Sequence, residues 1–231
     1  MKAWPFLVIA IVQSFLFLAH WFLYRTWIAF WYPLSPQATM ALQSGIFMLA
    51  MSFIVAALLG FRYTNPVVST FYRAAAIWLG LLNFFFWAAC LCWVVAFVAM
   101  LAGAHINRPF VAGVLFGVAL LAGIYGLLNA CLIRVRHIAI RLPGLPGSWR
   151  GRTALLLSDL HLGNVNGFRF GRRIAAMAAR LNPDIIFIAG DLFDGTRGDP
   201  DRLAEPLKRL SAPFGVYFAS GNHDEFGGVA H

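Results

Sequence analysis

The sequence predicts two structural classes in one chain: a bundle of four membrane-spanning α-helices, then an α/β unit built from βαβ repeats. Three observations carry that prediction. Residues 1–150 contain no Asp or Glu and nine Lys or Arg, whereas residues 151–231 contain nine acids and nine bases. The first part holds four apolar stretches long enough to cross a bilayer. The second part alternates short apolar runs with helical patterns.

A hydrocarbon core about 30 Å thick takes about 20 apolar residues in a helix. Stretches of that kind run from about residue 5 to 30, 41 to 61, 74 to 104 and 110 to 133. Pro33 and Pro36, Asn65 and Pro66, and Asn107 to Pro109 punctuate the connections as turn residues do. Trp4, Trp21, Trp27, Trp31, Tyr32, Tyr63 and Tyr72 lie near the ends of the runs, as interfacial aromatic belts require. The first run is too long, and followed by too many others, to read as a cleavable signal peptide.

Orientation follows from the basic residues. With the N-terminus in the cytoplasm, Lys2, Arg62, Arg73, Arg134, Arg136, Arg141, Arg150 and Arg152 are inside, and Arg25 and Arg108 outside. The excess of positive charge on the inner side selects this arrangement and places both termini in the cytoplasm. The basic excess flanks apolar spans and forms no patch with interleaved aromatics, so no nucleic-acid binding is expected.

A transporter or channel places ionisable groups inside its spans. Here the spans hold no acid, and His20 is the clear mid-span candidate. It reads as a packing or interfacial histidine. Gly113, Gly117, Ala119 and Gly123 are expected to allow close helix packing in the fourth run. Cys90, Cys92 and Cys131 all lie in apolar runs without metal or disulfide spacing and read as small apolar fillers.

Residues 134–142 alternate Ile138, Ile140 and Leu142 with His137, Ala139 and Arg141, which predicts a strand. Pro143-Gly144 and Pro146-Gly147 then make a turn-rich link. From Arg152 the pattern predicts strands over 153–157, 184–189 and 214–219, with helices over 172–181 and 201–210 between them. Alternation at this spacing argues for βαβ units and a parallel sheet. The chain therefore divides into a four-helix membrane domain over 1–133, a basic juxtamembrane strand and linker over 134–152, and an α/β unit over 153–231.

Each predicted strand is followed at once by a polar motif. These are Asp159-Leu160-His161, Gly190-Asp191-Leu192-Phe193-Asp194 and Gly221-Asn222-His223-Asp224. Asp159 to Asp191 is 32 residues and Asp191 to Asn222 is 31, one strand–helix–strand repeat each time. A parallel sheet brings all three motifs to its carboxyl edge, where open α/β sheets bind ligands. Carboxylate, amide and imidazole donors suit manganese, iron, zinc or magnesium, and no thiolate is present. An extended Asp159–His161 segment would point both side chains the same way. A carboxylate such as Asp191 can bridge two ions, and paired ions can clamp a phosphate ester.

Together these motifs resemble the calcineurin-like metallophosphoesterase superfamily, in the branch with N-terminal transmembrane helices found in bacterial membranes. The resemblance covers about residues 135–231. It implies a partial metallophosphoesterase β-sandwich domain and a dinuclear site. Asp159 and His161 would bind the first divalent metal ion, Asp191 would bridge both, and Asn222 would bind the second. His223 would be the general acid, oriented by Asp224, and Asp194 would support its loop. The resemblance also implies a later histidine and a G-H-x-H motif. Neither is matched up to His231, so the chain is expected to be part of a longer one.

Two function classes follow. One is a hydrolase of phosphomonoester, phosphodiester or pyrophosphate bonds at the inner, cytoplasmic membrane, with a lipid- or nucleotide-linked phosphate ester as substrate and the lipid bilayer as partner. The other is a non-catalytic membrane protein carrying a remnant of the module.

Overall fold

The computed structural model describes residues 4–31, 33–63, 65–195 and 199–226. Lys2, Tyr32 and His231 lie outside the described residues. The chain separates into two compact units, Met1–Ala56 with Ala74–Val135, and Ala57–Arg73 with Arg136–His231.

The first unit is built from four long helices: α1 (Trp4–Phe30), α2 (Pro36–Arg62), α3 (Pro66–Leu101) and α4 (Arg108–Ala130). All four are long and apolar enough to cross a membrane. Asn107 starts α4 by accepting a hydrogen bond from the Phe110 amide, with Pro109 just inside the helix, the arrangement that satisfies a free first-turn donor.

Two tryptophans of α3 donate hydrogen bonds to α1. Trp78 Nε1 donates to His20 Nε2 at 2.9 Å, and Trp93 Nε1 donates to Thr26 Oγ1 at 2.9 Å. His20 Nδ1 lies 2.7 Å from the Leu16 carbonyl, which can only accept. The His20 imidazole is therefore neutral, protonated at Nδ1 and engaged at both nitrogens, which makes it a packing residue. Cys92 is buried against Phe30 and Ala112, Cys90 is half-buried and Cys131 exposed.

The small-residue expectation for α4 needs correction. Gly123 does permit a close approach, since a Cβ there would stand 2.5 Å from Leu81 Cδ2. Gly113 and Gly117 face open space instead. The contact surface of α4 runs through Ala112, Ala119 and Gly123, and these are its buried residues.

The second unit contains β1 (Ala154–Leu157), β2 (Ile185–Ala189) and β3 (Val216–Ala219), forming a parallel sheet in that order. Leu156 pairs with Phe187, and Phe187 with Tyr217. α5 (Phe168–Leu181) crosses over from β1 to β2, burying Gly171, Ile174, Ala175 and Ala178 at helical spacing. Asn182 ends it in the left-handed conformation (φ 45°), as a C-terminal cap requires. The predicted helix over 201–210 is shorter in its α-helical part. α6 (Pro200–Ala204) tightens into a 3₁₀ turn over Glu205–Arg209, where Pro206 has no amide to continue the ladder. α7 (Asn222–Phe226) closes the described chain.

The predicted strand over 134–142 does not form. The segment has no strand pairing, and Ile138 and Ile140 are 77% and 74% exposed. Alternation alone gives a strand only where a neighbouring strand takes up its amides and carbonyls.

The start of the sheet is fastened by Asp184. Its carboxylate accepts from the Thr153 amide at 2.8 Å and from Arg152 Nη1 at 2.7 Å. The Thr153 amide bond, and then the Arg152 guanidinium, hold the Asp184 carboxyl below the usual carboxylate range.

Candidate metal centre

Backbone pairing continues past the strands and fixes the motif loops. Asp159 N donates to Gly190 O at 3.2 Å, His161 N to Asp191 O at 3.0 Å, and Leu162 N to Leu192 O at 2.8 Å. Gly190 N donates to Ala219 O at 2.8 Å. All three motifs thus meet at one edge, as the sheet predicted from the sequence requires.

The loop geometry differs from the extended segment expected for Asp159–His161. Asp159, His161 and Asp191 have φ of 54°, 44° and 51°. Left-handed conformations at non-glycine residues are uncommon and cost energy, and they concentrate where the surroundings enforce a functional geometry. The two side chains converge through these turns, with no contribution from strand alternation.

His161 Nε2 lies 3.9 Å from Asp191 Oδ2 and 4.0 Å from Asp159 Oδ1. The His161 and His223 rings meet edge to face, with centroids 4.8 Å apart. One donor atom from each of His161, Asp191 and His223 lies within 4.8 Å of the others. Donors bonded to one ion at about 2.0–2.2 Å stand roughly 3–4.4 Å apart. The two contacts of His161 suit a shared divalent ion, and the His/Asp set is a group that can hold one. All three residues are half-buried, and the Asp159 side chain is the more open at 68%.

Asp191 is anchored on its other oxygen, where Oδ1 accepts from the His223 amide at 3.1 Å. The approach is so close that a Cβ on Gly221 would stand 2.2 Å from that oxygen. Asn222, expected as a ligand, is exposed at the first residue of α7. Asp224, expected to orient His223, is fully buried. Its Oδ1 accepts from Phe193 N at 2.9 Å and its Oδ2 from Gly221 N at 2.8 Å. It therefore ties the second motif loop to the third through their backbones. The His223 ring instead has Nδ1 3.3 Å from the Asp194 carbonyl. Asp194 Oδ2 accepts from Asn164 N at 2.9 Å. Sequence reading missed Asn164; the cue was a polar residue three positions after His161, inside a glycine-flanked loop.

The sequence pattern of the calcineurin-like phosphoesterase family matches residues 153–230. The C-terminal third of the chain is thus similar to the calcineurin-like phosphoesterase family, and four helices long and apolar enough to cross a membrane precede it in sequence. A zebrafish (Danio rerio) transmembrane protein with a metallophosphoesterase domain is 41% identical over 104 residues, 45% of this chain and 24% of its own length. An uncharacterized metallophosphoesterase of Aquifex aeolicus is 32% identical over 114 residues, 48% of this chain and 42% of its own. A UDP-2,3-diacylglucosamine pyrophosphatase of Chlamydia trachomatis is 32% identical over 94 residues, 40% of this chain and 29% of its own. The chain therefore spans between 24% and 42% of the length of these relatives. No solved structure matches it.

Proposed function

We propose that this chain belongs to a membrane-anchored, metal-dependent phosphoesterase that hydrolyses a phosphomonoester, phosphodiester or pyrophosphate bond. The observation that carries the reading is the convergence of Asp159, His161, Asp191 and His223 from three sequence-distant motifs on one sheet edge.

In this reading Asp159 and His161 would hold one divalent ion, Asp191 would serve both that ion and a second, and Asn222 would serve the second. Bound ions of this kind polarise phosphoryl oxygens and supply hydroxide near neutral pH. The residues of the chain set the geometry. Asp191 keeps Oδ2 toward His161 because the His223 amide holds Oδ1. A hydrogen bond from His223 to the Asp194 carbonyl requires the proton on Nδ1, since a carbonyl only accepts. That leaves Nε2 to carry a proton to the leaving-group oxygen.

The substrate proposed is a lipid- or nucleotide-linked phosphate ester, met at the cytoplasmic face of the inner membrane with both termini on that side. The four spans support the membrane setting, and the Chlamydia relative acts on a substrate that is both acylated and nucleotide-linked.

The test is hydrolysis of p-nitrophenyl phosphate and bis-p-nitrophenyl phosphate by the protein in detergent with added manganese, alongside measured metal content. Manganese-dependent turnover that disappears in Asp191→Ala is expected. Asp191→Ala should lose more metal than Asn222→Ala; equal losses would sink the bridging role. Absence of both bound metal and turnover would favour a non-catalytic remnant.

A further inference from the structure

α3 is longer than a membrane crossing needs. Its 36 residues extend about 54 Å at 1.5 Å per residue, against a hydrocarbon core of about 30 Å. The apolar run begins near Ala74, but the helix begins at Pro66. The two added turns carry Ser69, Tyr72 and Arg73, and these belong to the same compact unit as the metal-motif loops.

Asn164 is 5% exposed, and its polar groups are met from this helix end. Ser69 Oγ donates to Asn164 Oδ1 at 2.7 Å, and Arg73 Nε donates to Asn164 O at 2.9 Å. Gly60, near the end of α2, leaves room for this contact, since a Cβ there would stand 3.2 Å from Asn164 Nδ2. On its other side, Asn164 N donates to Asp194 Oδ2 at 2.9 Å, and the Asp194 carbonyl lies 3.3 Å from His223 Nδ1. Gly163 presses against the same carboxylate so closely that a Cβ would meet it at 2.0 Å. A continuous hydrogen-bonded path therefore joins the end of a membrane span to an imidazole of the metal cluster.

We propose that Ser69 and Arg73 are positioning residues for the metal centre, holding Asn164 so that its bond to Asp194 fixes the two loops that carry His161 and Asp191. The inference rests on the metal-site reading above and adds a role for the first two turns of α3. A buried amide that loses its partners must move or take up water, because unpaired buried polar groups are disfavoured. Residues that support ligands in this way are commonly worth roughly 10–100-fold in metal affinity.

The experiment titrates the full chain in detergent with Co²⁺ and, separately, Mn²⁺. It compares the wild type with Ser69→Ala, Arg73→Ala, the double variant, Arg73→Lys and the solvent-facing control Thr70→Ala. The visible Co²⁺ spectrum reports ligand arrangement, which a loss of general stability would leave unchanged in the folded fraction. The double variant should bind roughly 10–100-fold more weakly with altered Co²⁺ bands. Each single variant should fall between, Arg73→Lys should recover part of the loss, and Thr70→Ala should match the wild type. Should the double variant fail to fold, the single variants decide. Wild-type affinity and an unchanged spectrum in Ser69→Ala and Arg73→Ala would overturn the positioning role while leaving the metal site standing. A wild type that binds neither ion would overturn the metal-site reading, and this inference with it.

Discussion

Asp224 offers the sharpest test of how the site is assembled. Its fully buried carboxylate accepts two backbone amides, Phe193 at 2.9 Å and Gly221 at 2.8 Å. A hydrogen bond to a charged group contributes about 1.5–3 kcal/mol, so Asp224→Ala should weaken the local structure by about 3–6 kcal/mol. Domains are stable by only about 5–15 kcal/mol, so the loss is a large share of what holds this edge together. At about 1.4 kcal/mol per decade, the amides of Phe193 and Gly221 should exchange with solvent roughly 10²–10⁴ times faster. Hydrogen exchange read by mass spectrometry on peptides covering 190–195 and 219–225 measures this, with α5 as internal reference. Asp224→Asn should protect one amide and expose the other, because its amide NH₂ faces an N–H donor. Exchange within threefold of the wild type at both sites in Asp224→Ala would refute the account of Asp224 as the tie between loops.

Other consequences can be tested separately. Gly221→Ala would place a Cβ 2.2 Å from Asp191 Oδ1, so bound metal should fall to background in that variant, as measured by elemental analysis. Asp184 has a folded pKa below its unfolded value, so its contribution is present above about pH 4 and lost as pH falls through the folded pKa. Asp184→Asn should therefore flatten the acid limb of a thermal-stability profile and leave the neutral limb parallel to the wild type. Trp78→Phe removes the donor to His20 Nε2 and should lower stability in detergent by about 0.6–2 kcal/mol, the range for hydrogen bonds between spans. An unchanged denaturation midpoint would argue against that contact.

The sequence exposed much of this organisation because the periodicities are strong. Four uninterrupted apolar runs leave little room for any arrangement except helices, and three apolar strands ending in Asp, His and Asn leave little doubt about which sheet edge is chemical. What it hid depends on partners far apart in the chain. The alternation over 134–142 looks like a strand but has no neighbour to pair with. The start of α3 eight residues before its apolar run carries the contact with Asn164, and nothing local in Ser69 or Arg73 announces a partner more than 90 residues away. The placing of the Asp194 carbonyl beside His223 Nδ1, with Asp224 turned toward backbone amides, likewise depends on loop conformation. Positive φ at Asp159, His161 and Asp191 is not announced by residue type, because Asp and His enter the left-handed region more often than other side chains but only in a minority of cases.

Those three backbone conformations set selection for robustness against selection for chemistry. Each costs on the order of 1–3 kcal/mol, and glycine would relieve it at every one. Under selection for thermal persistence alone, Asp159, His161 and Asp191 are where replacement is most rewarded, and each replacement removes a donor from the cluster. A laboratory lineage screened only for heat resistance should therefore drift toward a sturdier protein with no metal-binding edge.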